Sequence, residues 1–447
     1  MKNKNNIDMP GFEETTNCER DQMHYGEFAP GFKFGTATVA HQIEGQWNDD
    51  KKGLSIWDDF SHSHPKCIAD RSTADEACDS YRKFEDDVLM LKSMNANSYS
   101  FSLSWSRILP DGSVYSINQK GIDYYDDMIN TLIENGIEPI VTIFHWDLPS
   151  ALLEKHAGGW TNENLIPEFE SYARLCFEKF GDRVQNWVSI AQPWVHSWKS
   201  YGNGVHPPSL CLGSNGALIA NANLLKAHTN VFHLYNEEFK FTQNGKLGIS
   251  MKFDEDDDAT LEQQMDRVLH PLHHGNFSPV LLREVAESCV QCSENDIISS
   301  SPNRQYDFLT VYFSPKSMSK SQATSFSIQN LLQLLKVGYE NPEVLLFCEG
   351  PPMHFPCPSM DTDRAQYFNV VANDILKAID IFGCNVKGYF PGKLMDCWEW
   401  ENGYTVSYGL HHVNLTHPSK KRSPRASVAF MLKQLFKQKK FQPAAEL

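Results

Sequence analysis

Along most of the chain, short apolar runs alternate with longer segments whose apolar residues recur at helical spacing. Ser98–Ser104 alternates as a strand, while Pro139–Phe144, the Trp187–Ile190 stretch and Val344–Cys348 are near-continuous apolar runs of buried-strand length. Between them, Phe84, Val88 and Leu91 lie on one face of a helix predicted over Tyr81–Met94. Helices predicted over Gly121–Asn135 and Ile166–Phe180 each meet a glycine stop, Gly136 and Gly181. Leu224–Phe239 and Arg364–Phe382 read as further helices, and Phe32–Thr38, Lys246–Met251, Tyr306–Phe313 and Val386–Phe390 as further strands. Strand starts near 32, 98, 139, 187, 246, 306, 344 and 386 give the count and alternation of a closed (β/α)8 barrel. Residues 1–30 are polar and irregular, so the expectation is a single α/β domain over 31–447, with Gln42-Ile43-Glu44-Gly45 in a loop after the first strand.

In such a barrel the C-terminal strand ends build the site. Asn186-Trp187-Val188-Ser189-Ile190-Ala191-Gln192 breaks at Pro193, which leaves Ala191 and Gln192 at the mouth. Val344–Cys348 ends likewise in Glu349, before Gly350-Pro351-Pro352. A carboxamide and a carboxylate thus face one pocket. Gln42, His145-Trp146 and Glu399-Trp400 add hydrogen-bonding ends beside aromatic faces, which is what a polyol with apolar C–H faces requires. Singly, a Trp near a loop is ordinarily core and a lone His ordinarily structural. Their shared place at one barrel mouth is what makes the set informative.

Composition narrows the partners. The 447 residues carry a formal charge of −16, which disfavours nucleic acid and anionic membrane surfaces. A hydrophobic content of 41% with 12% aromatics supports a large core. Eleven cysteines include one close pair, Cys289 and Cys292, with no second pair or histidines at ligand spacing, so no zinc or redox role is expected for the pair. The sequence as a whole implies no metal and no organic cofactor. No run reaches the ~18 apolar residues of a membrane span. Met1–Pro10 lacks an apolar leader, so a cytoplasmic location is expected as the sequence stands, and secretion only if the N-terminus is truncated. The sequons at Asn276 and Asn414 are no more than chance supplies in a chain of this size.

The chain resembles glycoside hydrolase family 1, the retaining β-glucosidases with a TIM-barrel fold. The matching segments run from Phe32 to Gly45 and Leu54 to Asp58, then Phe101-Ser-Leu-Ser-Trp-Ser-Arg107 and His145-Trp-Asp-Leu-Pro149. Gly388-Tyr-Phe390, Asp396 and Trp398-Glu-Trp400 complete them. The resemblance is nearest to the animal branch of cytosolic and lactase-like β-glucosidases and of klotho proteins, which serve as receptor accessories. It implies Glu349 at the nucleophile position of a Thr-Glu-Asn-Gly motif, here Cys348-Glu349-Gly350-Pro351, and Gln192 at the acid/base position of Asn-Glu-Pro, here Ala191-Gln192-Pro193. Gln42, His145, Trp146, Glu399 and Trp400 match residues that hold the glycone sugar.

The departures from the family pattern are numerous. Gln192 cannot exchange a proton as a carboxyl group does, and losing a general acid costs ~10²–10⁴ in rate. Ala191 replaces the Asn that binds the sugar 2-hydroxyl, and Ser100 stands where the family has the arginine that pairs with the nucleophile. Tyr306–Ser314 lacks the Asn and the Tyr placed after the Asp-Phe strand; Gly392-Lys393 replaces Trp-Ser and Cys397 an Asn. The resemblance with these losses implies a degenerate, klotho-like site with weak or no hydrolysis and residual sugar binding, and leaves room for a receptor-type protein partner. The rival expectation is a working retaining β-glycosidase for activated or unusual glycosides, since plant myrosinases also carry Gln at the acid/base position.

Overall fold

The computed structural model describes residues 23–254, 259–278, 304–314, 327–354 and 361–441. Eight parallel strands form a ring: β1 Lys33–Ala37, β2 Ser98–Ser102, β3 Glu138–Phe144, β4 Asn186–Ile190, β5 Lys246–Asp254, β6 Phe308–Ser314, β7 Glu343–Cys348 and β8 Val386–Pro391. Each pairs with the next, and the ring closes where Gly388 and Tyr389 of β8 lie against Lys33 and Phe34 of β1. The main helices around it are α1 Ser80–Ser93, α2 Gln119–Glu134, α3 Leu165–Phe180, α4 Gly213–Leu234, α5 Ile328–Gly338, α6 Thr362–Asp380 and α7 Ala426–Gln438. All eight strands expected from the apolar pattern are present, in a (β/α)8 barrel.

Period-two alternation divides each strand between two cores. Ala37, Ile140, Val188, Phe308, Leu345, Phe347 and Phe390 fill the barrel interior. Their neighbours Phe34, Tyr99, Val141, Trp187, Leu309, Leu346 and Tyr389 pack outward under the helices. Strands buried on both faces read as continuous apolar runs, which is why they stood out in the sequence. Each large side chain so buried contributes roughly 1.5–3 kcal/mol. β2 differs. Ser100 lies in register with Ala37 and Ile140, so the interior face of β2 carries Ser98, Ser100 and Ser102, which are small and polar.

Two elements differ from expectation for identifiable reasons. Gln42 and Ile43, expected in a loop with Glu44 and Gly45, belong to a short helix over Ala40–Ile43, where the Ala40 amide donates to Ser102 Oγ at 2.8 Å and starts the turn. α4 begins at Gly213, well before Leu224. Apart from Leu218, its first turns bury small or polar residues, Gly216, Ala217, Ala220 and Asn221, which give no apolar stripe to read. At the ends of the described chain, Gly26–Glu27 pairs antiparallel with Lys440–Phe441. Phe28 is buried there against Phe32 and Phe34. Among the described residues no helix is long and apolar enough to cross a membrane. Cys289 and Cys292 lie outside the described residues.

Candidate active site

β4 and β7 end at the same mouth, three strands apart in the ring. Gln192 follows β4 in a left-handed backbone conformation (φ 47°), and Pro193 opens the next helical turn at a position where its missing N–H costs nothing. Trp146 (φ 71°) and Trp400 (φ 52°) share that conformation. For residues with a Cβ it costs of order 1–3 kcal/mol and is held only by surrounding contacts. Those contacts are visible. The Trp146 indole N–H donates to the Ala191 carbonyl at 2.9 Å, which ties the ends of β3 and β4 together. Trp400 sits among the rings of Trp57, Trp146, His41 and His145.

His145 is buried, and that burial, reinforced by the Lys393 ammonium, pushes its pKa down to about 3, so the imidazole is neutral. Glu349, just beyond β7, keeps 22% of its side chain accessible. Tyr312 of β6 stacks on Phe347 in the interior. Burial, with the Glu349 carboxylate second, raises its phenol well above the ordinary tyrosine range. Tyr312 thus brings a phenol from the Asp-Phe strand to the vicinity of Glu349.

A lysine lies among these groups. After β8 the chain turns at Gly392 (φ 56°), and Lys393 pairs in register with Ala37 at the end of β1. This delivers the Lys393 ammonium among the hydroxyl-binding candidates. It donates to the Glu399 carboxylate and, at 3.1 Å, to Gln42 Oε1, and it lies 4.0 Å from Glu349 Oε1. Gln42 Nε2 in turn donates to Glu399 Oε2 at 3.2 Å and to the Trp398 carbonyl at 2.7 Å. The Cys397 thiol reaches Glu399 Oε1 at 3.3 Å. Burial alone would drive the Lys393 ammonium towards neutrality, but the nearby Glu399, Cys397 and Glu349 hold its pKa above the usual lysine range. Glu399 is raised, by burial against the opposing pull of Lys393.

Gln42, His145, Trp146, Glu399 and Trp400 are thus gathered on one side of the mouth, linked by hydrogen bonds and ring contacts, beside Glu349. Gln192 stands at the end of β4, joined to this group through Ala191 and Trp146. Trp146 is 5% exposed and has His196 stacked on its ring, so it offers a ligand little free face. In the sequence Lys393 stands out only as a departure from the family pattern. Its signal was a lone basic residue within an otherwise apolar run, Tyr389–Met395, immediately after a glycine. Among the described residues no group of His, Cys, Asp or Glu could hold a metal ion.

A closed parallel barrel whose strand ends carry a carboxylate, a carboxamide and polar groups beside indoles is the architecture of the barrel glycosidases. The chain belongs to glycosyl hydrolase family 1, whose profile matches residues 24–274 and 253–441. It is 34% identical to the lactase-like protein of Homo sapiens over 93% of this chain and 83% of that protein. To the cytosolic beta-glucosidase of Homo sapiens it is 32% identical, over 90% of this chain and 96% of the relative. The Thermotoga maritima beta-glucosidase solved in complex with deoxynojirimycin superposes with a TM-score of 0.82 at 30% identity, over 93% of this chain and all of that one, 100%.

Proposed function

We propose that this chain is a family 1 β-glucosidase relative with a degenerate site, which turns over β-glycosides weakly or not at all and keeps residual binding for a sugar. The observation that carries this reading is Gln192. In a retaining glycosidase one carboxylate attacks the anomeric carbon while a second protonates the leaving oxygen and then activates water. In this reading Glu349 holds the first position and Gln192 the second, and a carboxamide has no proton to exchange. The loss is worth ~10²–10⁴ in rate. Ser100 and Ala191 deepen it, one by removing a cation from the interior of β2, the other by removing a side-chain donor beside Gln192. In this reading the loss of catalytic groups is what makes the chain klotho-like. A cytoplasmic location is supported by the likeness to the cytosolic beta-glucosidase and by the free thiols of Cys78, Cys176, Cys348, Cys384 and Cys397.

The test is turnover of aryl β-glucosides, β-galactosides and β-glucuronides with good leaving groups. Rates at least ~10²-fold below those of an intact family enzyme are expected, and kcat/KM values in the ordinary enzyme range of ~10⁴ M⁻¹s⁻¹ or more would sink the reading. One observation favours the rival, a working glycosidase for activated glycosides with Glu349 as nucleophile. Lys393 lies 4.0 Å from the Glu349 carboxylate and supplies a cation where Ser100 cannot. In that case a glycosyl-Glu349 intermediate would accumulate, visible by mass spectrometry, because no base activates the water that clears it.

A further inference from the structure

We propose that Lys393 is an internal ligand of the glycone pocket, a tethered ammonium that takes the hydrogen bonds a hexose would need and so weakens the site for neutral sugars. This rests on the reading that Gln42 and Glu399 are sugar-binding groups.

The hydrogen-bond inventory supports it. Gln42 Oε1 accepts from Lys393, and its Nε2 donates to two protein acceptors, Trp398 O and Glu399 Oε2. Glu399 accepts from Lys393 and Gln42 at one oxygen and from Cys397 at the other. Burial agrees. Gln42 is 0% exposed, Glu399 4% and Lys393 8%, so neither partner is open to an arriving sugar while the lysine is in place. To bind there, a hexose must first break a buried ion pair, and a hydroxyl offered in exchange for an ammonium is a weaker donor to a carboxylate.

Local geometry makes the arrangement permanent rather than incidental. The register Lys393↔Ala37 fixes the lysine backbone at the end of β1. Gly392 sets the turn, with a left-handed φ of 56°; a Cβ there would come within 2.9 Å of Leu410 Cδ2. The Tyr408 ring lies 5.6 Å from Nζ and adds a contact to the ammonium. The geometry assigns Lys393 a specificity role: it acts on ligands by occupying their partners.

Calorimetric titration of the full-length protein with glucose and with deoxynojirimycin, before and after Lys393→Ser, tests this. Lys393→Ser is expected to bind glucose at least about tenfold more tightly than the unmodified chain, and adding Gln42→Ala should abolish the gain. Equal affinity in the unmodified chain and in Lys393→Ser would overturn the internal-ligand role while leaving sugar binding intact. Silence from both, with Lys393→Ser folded by circular dichroism, would overturn the role and the sugar-binding reading together. A gain that survives Gln42→Ala would also overturn it, because the freed amide would then not be what the sugar uses. If Lys393→Ser does not fold, Lys393→Met, which keeps the stem and removes only the ammonium, takes its place with the same outcomes.

Discussion

Replacing Gln192 by glutamate places a carboxyl group at the end of β4, directly before Pro193. If the missing acid were the sole defect, aryl-glucoside turnover would rise by the ~10²–10⁴ that general acid catalysis supplies. A gain of less than about tenfold is expected instead, because catalytic groups act as a unit and their effects do not add. Ser100 leaves the β2 side of the pocket without a cation, and Lys393 occupies Gln42 and Glu399. Steady-state kinetics of Gln192→Glu, alone and with Ser100→Arg and Ala191→Asn, decide the matter. Near-family activity from the single change would promote the specialised glycosidase.

Between elements, the loops after β1 and β2 and the helix α2 are joined by one buried ion pair. Arg107 Nε donates to Glu44 Oε2 at 2.8 Å and Nη2 to the Gly45 carbonyl at 2.9 Å. The Tyr125 hydroxyl of α2 donates to the other Glu44 oxygen, and the guanidinium lies 4.1 Å from the centre of the Tyr81 ring. The pair sits one turn from Gln42, so it also steadies that side of the site. Removing one partner of a buried pair strands the other charge, at a cost of about 3–5 kcal/mol. Arg107→Met should therefore lower the urea midpoint sharply. Adding Glu44→Gln should recover part of the loss, because the stranded carboxylate is then gone. An Arg107→Met midpoint within error of the parent would show that water reaches the pair.

For the whole molecule, acid stability is set by histidines kept neutral in the interior. Burial lowers the pKa of His41 and His228 to about 4, and of His145 and His196 to about 3. His228 shows why the neutral ring fits: one nitrogen donates to the Gln305 carbonyl at 2.7 Å while the other accepts from Ser189 Oγ at 2.6 Å. In the unfolded chain these rings take up protons near pH 6.5, and in the folded chain only near 3 to 4. The unfolded state thus binds more protons between those limits, and stability falls as pH drops through that window, by about 1.4 kcal/mol per pH unit per group. Thermal unfolding at pH 7.5 and pH 5.5 should give a markedly lower midpoint at the lower pH. A flat profile down to pH 4.5 would contradict it.

Much of this was legible in the chain itself. Strands buried on both faces advertise themselves as apolar runs, so all eight were readable, as was the mouth where Gln192 and Glu349 stand. Local signals failed where burial used small or polar residues, as in the first turns of α4, or where a distant side chain such as Ser102 started a helix. The state of the pocket lay beyond any linear reading. Lys393 follows Gln42 by 351 residues and precedes Glu399 by 6. Only ring closure of β8 onto β1, and the turn at Gly392, bring the ammonium between them. Sequence determines which groups line a barrel mouth, because strand ends and alternation are local. Which of those groups are already engaged depends on contacts across the ring, and only the tertiary structure decides it.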